Sequence, residues 1–137
     1  MDTTKEVFQG QLTRNLRAFL KAKGEDFNLE KTPEYLTHGA TMLKRVYGIK
    51  LAAYLCRLNE TKRFSKWVKG EDLPQIYEAG GLLEAVEITE ILLGRLSEYE
   101  ARDWMKSPCE YLFFNLPMDF IRDVPDEVRR AALRLHV

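Results

Sequence analysis

Most of the residue patterns that mark catalysis, metal binding or export are missing from this chain of 137 residues. Cysteine occurs twice, at Cys56 and Cys109, and histidine twice, at His38 and His136. There is no C-x-x-C pair and no histidine cluster, which excludes a zinc site and a disulfide framework and suits a reducing compartment. No metal site is expected. No apolar run reaches the ~18–20 residues that span a bilayer, and the start M-D-T-T-K-E-V-F-Q-G lacks the apolar core of a secretion signal. A cytoplasmic location without membrane contact is therefore expected. The two histidines lie near opposite ends, so no nucleophile has a base beside it. Gly80-Gly81 is followed by leucines, with no Gly-Lys-Ser signature to cradle a phosphate. An enzyme is not expected, nor is a cofactor.

Net charge is also absent: 21 Lys+Arg balance 21 Asp+Glu. The balance is global only. Residues 1–70 hold 14 Lys+Arg against 7 Asp+Glu, and residues 71–137 hold 7 against 14. The chain is thus a dipole of +7 and −7 whose poles meet near Gly70-Glu71-Asp72. A basic half attracts phosphate and an acidic half is repelled by the same duplex, so the split suggests two tasks. What is present in quantity is apolar mass. Hydrophobic residues make up 45% and aromatics 11%, enough for a true core. The length suits one domain, or two small helical units sharing a core.

Helical periodicity dominates. A first helix is expected over about Lys5 to Lys23, with Val7, Phe8, Leu12, Leu16, Phe19 and Leu20 on one face and Gly24 as its stop. Glu25 to Lys31 reads as a turn. Thr32-Pro33-Glu34 supplies a cap, a first-turn proline and an early acid. The next helix carries Tyr35, Leu36, Met42, Leu43, Val46 and Tyr47 and closes at Gly48. His38 within it reads as a surface or packing residue.

The stretch I-K-L-A-A-Y-L-C-R-L-N-E-T-K-R-F-S-K-W-V-K-G, residues 49–70, reads as two short helices. Leu51, Ala52 and Leu55 form the inner face of the first. A break falls near Cys56-Arg57-Leu58, with Asn59 as a candidate cap. Phe64, Trp67 and Val68 point inward on the second, leaving Thr61, Lys62, Ser65, Lys66 and Lys69 outward. Small hydroxyls and cations on one face are what a major-groove helix requires. The candidate DNA-binding set is Lys50, Arg57, Thr61, Lys62, Arg63, Ser65, Lys66 and Lys69. Leu51-Ala52, the apolar turn residue Leu58, the Trp67 anchor and the Lys69-Gly70-Glu71 exit together resemble the helix-turn-helix of Xre/Cro-type repressors. The usual turn glycine is replaced by Cys56, and the interval to Trp67 is about one residue longer.

Pro74 then suits the start of a long helix reaching Leu96. Gly80-Gly81 inside it costs roughly 2 kcal/mol relative to alanine, so a kink, a break or a close helix crossing is expected there. Leu92, Leu93 and Leu96 are too apolar for a solvated face. They either pack inward or form a two-fold dimer contact.

From Ser97 to Asp123 the chain reads S-E-Y-E-A-R-D-W-M-K-S-P-C-E-Y-L-F-F-N-L-P-M-D-F-I-R-D. Ser97 and Glu100 form a capping box, Pro108 stops the helix, and Pro117 opens another. Trp104, Leu112, Pro117, Phe120 and Ile121 are the expected core of this unit. W-M-K-S-P, then eight residues from Cys109 to Leu116, then P-M-D-F-I-R-D, resembles the C-terminal toxin-binding domain of the Xre/MbcA/ParS antitoxin family. The likeness covers about Leu82 to Asp123. Val124 and Pro125 stand where that pattern usually has glycine and glutamate.

The resemblance implies an all-α protein: a helix-turn-helix bundle over residues 1–72, with the motif at 49–70, then a dimerisation and toxin-binding domain over 73–137. It implies an antitoxin of a type II pair whose partner is a RES-type, NAD⁺-degrading toxin. It further implies repression of the protein's own promoter DNA. By the same resemblance the final residues obstruct the toxin's cleft, which makes Arg129, Arg130, Arg134, His136 and Val137 the candidate toxin contacts. Truncation after Asp123 is then expected to keep the fold and abolish neutralisation. Two other readings remain: a free-standing homodimeric regulator without a toxin, and a helix-turn-helix kept for protein contacts alone.

Overall fold

A computed structural model describes residues 32–74 and 76–135. The expected helix over Lys5 to Lys23, the turn after it, and the candidate contacts His136 and Val137 lie outside the described residues. Every regular element among those described is helical, in agreement with an all-α class. The elements are α1 (Thr32–Tyr47), α2 (Ile49–Leu55), α3 (Thr61–Lys69), α4 (Ile76–Leu93) and α5 (Glu98–Met105). A 3₁₀ turn (Glu110–Leu112), α6 (Pro117–Asp123) and α7 (Pro125–Leu133) complete the order.

Local chemistry sets most of the ends. Gly48 has φ 82°, a left-handed value open to glycine, and lets α2 follow α1 without a loop. The Ser97 hydroxyl accepts from the Glu100 N–H at 3.1 Å, while the Glu100 carboxylate accepts from the Ser97 N–H at 2.9 Å. This is the expected capping box. Two backbone N–H groups at the start of α5 are satisfied in this way. Helix α5 ends at Met105, before Pro108. Pro117 and Pro125 each occupy the first turn of a helix, where a missing N–H breaks no helical bond.

Helix α4 is the centre of the packing. Leu82, Leu83, Ala85, Val86, Ile88, Thr89 and Leu92 are all buried on it, and it packs against α1 on one side and α7 on another. Its glycine pair produces the close crossing. The helix runs unbroken through Gly80-Gly81, and a Cβ on Gly81 would lie 3.0 Å from the Cys56 carbonyl oxygen. The Tyr47 and Thr89 hydroxyls form a buried pair here, 2.7 Å apart. Burial raises the Tyr47 pKa, so the phenol is neutral.

One hydrophobic cluster runs from Leu36 on α1 to Ala132 on α7. The expected boundary at 72/73 therefore does not coincide with a gap in the core: α1 touches α5, and α2 touches α6. Helix α7 belongs to the same core, since Val128 and Ala132 are fully buried and Ala131 nearly so. That burial runs against the expectation that truncation after Asp123 keeps the fold. Removing α7 would strip the covering from α4 and take Val128 out of the core, a burial worth about 1.5–3 kcal/mol on its own.

Candidate nucleic-acid and partner-binding surfaces

The turn between α2 and α3 positions the candidate reading helix. The Leu58 N–H donates to the Ala53 carbonyl at 3.0 Å and the Arg57 N–H to the Tyr54 carbonyl at 3.0 Å. These are the two bonds of a Schellman closure. Its left-handed residue is Arg57, with φ 68°, and not Cys56, with φ −84°. The position expected to need glycine therefore falls one residue later, on an arginine. Leu58 turns into the core behind it. Cys56 is fully buried, and burial raises its thiol pKa, so it stays protonated and inert.

Helix α3 buries Phe64 and Trp67 in an edge-on pair with ring centroids 6.1 Å apart. Val68 is half-buried beside them. The opposite face exposes Lys62, Lys66 and Lys69, with Thr61 and Ser65 half-buried, and Lys50 is exposed on α2. The helix closes in a second Schellman turn at Gly70, whose own φ is 74°. Lys62, Arg63 and Lys66 share a shallow depression with Glu60 and Asp72, so the basic face is interrupted by two acids.

Two members of the candidate set point elsewhere. Arg57 bonds Glu84 on α4 at 2.9 Å, and Arg63 pairs with Glu78, a carboxylate only 6% exposed at the start of α4. Partial burial raises the Glu84 pKa, and the guanidinium of Arg57 opposes that shift. Both arginines fasten the helix pair to α4. The outward cations are lysines.

In the C-terminal half, Leu112, Pro117 and Ile121 are buried as expected. Trp104 and Phe120 are half-buried, and the fully buried residues of α5 are Ala101 and Met105, the latter one position on from Trp104. The unit is docked onto α2. The Tyr54 hydroxyl donates to Asp119 Oδ1 at 2.5 Å, and Arg122 stacks over the Tyr54 ring at 4.3 Å. The bond to Asp119 raises the Tyr54 pKa.

The candidate toxin contacts are partly engaged within the protein. Arg129 pairs with Glu87 at 3.0 Å and with Asp126, Arg130 pairs with Glu127 at 2.8 Å, and Arg134 lies 4.4 Å over Tyr111. Helix α7 is thus a core helix with an arginine-bearing outer face. Of the candidate dimer leucines, Leu92 is fully buried inside the protomer, and Leu93 and Leu96 are half-buried against the same core. Leu92 is therefore closed to a second chain.

The sequence marks the apolar mass of this half without assigning a place to its exposed members. Phe113 and Phe114 are 85% and 69% exposed, and both are left-handed, with φ 57° and 65°. Such a backbone costs roughly 1–3 kcal/mol per non-glycine residue. The turn is held by Cys109 N–H to Asn115 O at 3.1 Å and Phe114 N–H to Cys109 O at 2.8 Å. The signal available was an aromatic pair pinned between Pro108 and Pro117, too short to bury everything it carries. Comparison of the chain with described protein families, with curated proteins and with solved structures gives no match.

Proposed function

We propose that the protein is an antitoxin that neutralises a RES-type toxin through its C-terminal half and represses its own promoter through α3. The observation that carries this reading is an adjacency. The two stretches that resemble the Xre/MbcA/ParS family touch through Tyr54, Asp119 and Arg122. A toxin held on the second stretch would therefore act on the orientation of α2 and α3, which is what coupling of neutralisation to repression requires.

Co-expression with the neighbouring reading frame tests the first half. The expected result is a gene product that stops growth alone, is harmless beside this protein, and co-purifies with it. A harmless neighbour that does not co-purify refutes the assignment.

A promoter shift tests the second half. Replacing Lys62, Lys66 and Lys69 by alanine should abolish the shift, and the slope of log affinity against log salt should fall by about one for each phosphate contact removed. Arg57→Ala should act on stability instead, because its guanidinium is bound to Glu84. Unchanged binding by the triple-lysine protein means that α3 is not the reader.

A further inference from the structure

Gly81, Glu84 and Glu87 follow one another by single turns of α4 and meet the α2–α3 turn at one end and α7 at the other. Gly81 lies under the α2–α3 turn: a Cβ there would sit 3.0 Å from the Cys56 carbonyl oxygen and 3.7 Å from Arg57 Cδ. The stem of Arg57 therefore runs over Gly81, and its guanidinium donates to Glu84 at 2.9 Å. One turn further on, Glu87 is gripped from α7. Arg129 Nε lies 3.0 Å from Glu87 Oε1, and Arg129 Nη2 donates to Oε2 at 3.2 Å. Asp126 holds the other terminal nitrogen of Arg129. Arg57, Glu84, Glu87 and Arg129 are between 25% and 36% exposed, so water screens this stripe only in part. Burial raises the Glu84 pKa, Arg57 and then Arg129 oppose that shift, and Asp126 and Glu87 add to it. Glu84 thus answers to cations on both sides. Arg57 depends on it most, because a left-handed backbone, φ 68°, is one that a side chain disfavours.

We propose that Glu84 is the positioning residue of the α2–α3 turn and the carboxylate for which the turn and the last helix compete, with Glu87 keeping Arg129 off it. Residues three apart on a helix are neighbours, so a guanidinium released from Glu87 finds Glu84 next. It then draws Glu84 away from Arg57, and the turn loses its side-chain hold. Removing the Arg129 charge does the reverse. Arg57 is rid of a like charge and a competitor, and its bond to Glu84 tightens. A partner's acidic group that draws Arg129 outward acts in the same sense. Helix α3 begins at Thr61, just beyond the turn, so its orientation follows the hold on Arg57. A consequence for the promoter rests on α3 as the reading helix of the proposed function; the hold on the turn does not.

Amide hydrogen exchange of the full chain reads that hold at the two N–H groups that close the turn, those of Arg57 and Leu58. Arg129→Gln should slow their exchange and Glu87→Gln should hasten it, each by about two- to five-fold, the scale of a part-exposed ion pair. Glu84→Gln should hasten it as well, and should abolish the response to a second change, Glu87→Gln. A general loosening of α7 does not give this pattern, since Arg129→Gln and Glu87→Gln break the same pair between α4 and α7. Hastening by both changes, or no change at the turn by either, overturns the proposal. A response to Glu87→Gln that persists in the Glu84→Gln protein overturns it too. Promoter affinity should keep the same order, rising about two- to five-fold in Arg129→Gln and falling as much in Glu87→Gln, a shift in affinity and not its loss. Exchange rates that move as stated while promoter affinity stays unchanged support the shared carboxylate and refute α3 as the reader.

Discussion

The glycine pair in α4 offers a test in which two neighbouring substitutions have opposite signs. Alanine is favoured over glycine in a helix interior by about 1 kcal/mol. At Gly80 nothing described lies within 4 Å of an added Cβ, so Gly80→Ala should keep most of that gain and stabilise by about 0.5–1 kcal/mol. At Gly81 the same methyl would meet the Cys56 carbonyl oxygen at 3.0 Å and its carbon at 3.5 Å. Those atoms are backbone, locked by the Schellman bonds that end α2, so they cannot yield as a flexible side chain would. Overpacking of this kind costs about 1–3 kcal/mol. It outweighs the helix gain and leaves Gly81→Ala less stable by about 1 kcal/mol. Urea unfolding followed by tryptophan fluorescence reads the difference. With a slope of about 1–3 kcal/mol per molar, the two midpoints should separate by roughly 0.5–2 M, on either side of the wild type. Equal stabilisation by both changes would refute the close crossing of α4 over the α2–α3 turn.

Three further outcomes follow from the cap and the last helix. Ser97→Ala should destabilise by about 1 kcal/mol through loss of the cap, measured by thermal unfolding. The Ser97 backbone N–H, with a smaller part from its hydroxyl, holds the Glu100 carboxyl below the usual range. A depressed carboxylate stabilises the fold above its unfolded pKa, and that contribution is lost as pH falls through the folded value. Acid unfolding of Glu100→Gln, followed by circular dichroism, should therefore lack a component that the wild type loses at low pH. Truncation after Asp123 should give a chain without cooperative thermal unfolding, because Val128, Ala131 and Ala132 leave the core. A cooperative transition at the wild-type temperature would mean that α7 is dispensable.

The sequence is most legible where structure depends on neighbours in the chain. The capping box at Ser97, the prolines at 117 and 125, and the glycine stop at Gly48 each act over a few residues. Docking over long distances is what hides the rest. Trp104 and Met105 are adjacent on α5, and one turn-step of about 100° decides which faces the core. The heavier ring suggested Trp104, yet the packing against α1 and α4 selects Met105. Leu92 similarly reads as dimer or core until α1 and α7 are in place. The left-handed turn residue falls on Arg57, where no propensity favours it, because its side chain gains Glu84 and Leu58 gains the core. Exposure of Phe113 and Phe114 depends on the 3₁₀ turn already filling the interior with Leu112.

The charge split has a structural use that alters its meaning. Arg45, Arg57 and Arg63 from the basic half bond Glu98, Glu84 and Glu78 from the acidic half. Arg102 of the acidic half adds a bond to the Val46 carbonyl at 2.8 Å. These contacts differ in weight. Arg45 and Glu98 are about half exposed and contribute little in water, whereas Arg63 holds a carboxylate that is almost fully buried. Three of the seven excess positive charges of the basic half are thus matched by carboxylates of the acidic half. Complementary halves that dock on one another would show this asymmetry whatever the protein binds, so the dipole alone is no evidence for nucleic acid. The cations left for the proposed DNA contact are Lys50, Lys62, Lys66 and Lys69, which have no ion-pair partner among the described residues and lie on the exposed faces of α2 and α3. Loss of promoter binding on neutralising lysines, but not on neutralising arginines, is the signature that separates an outward field from an internal clasp.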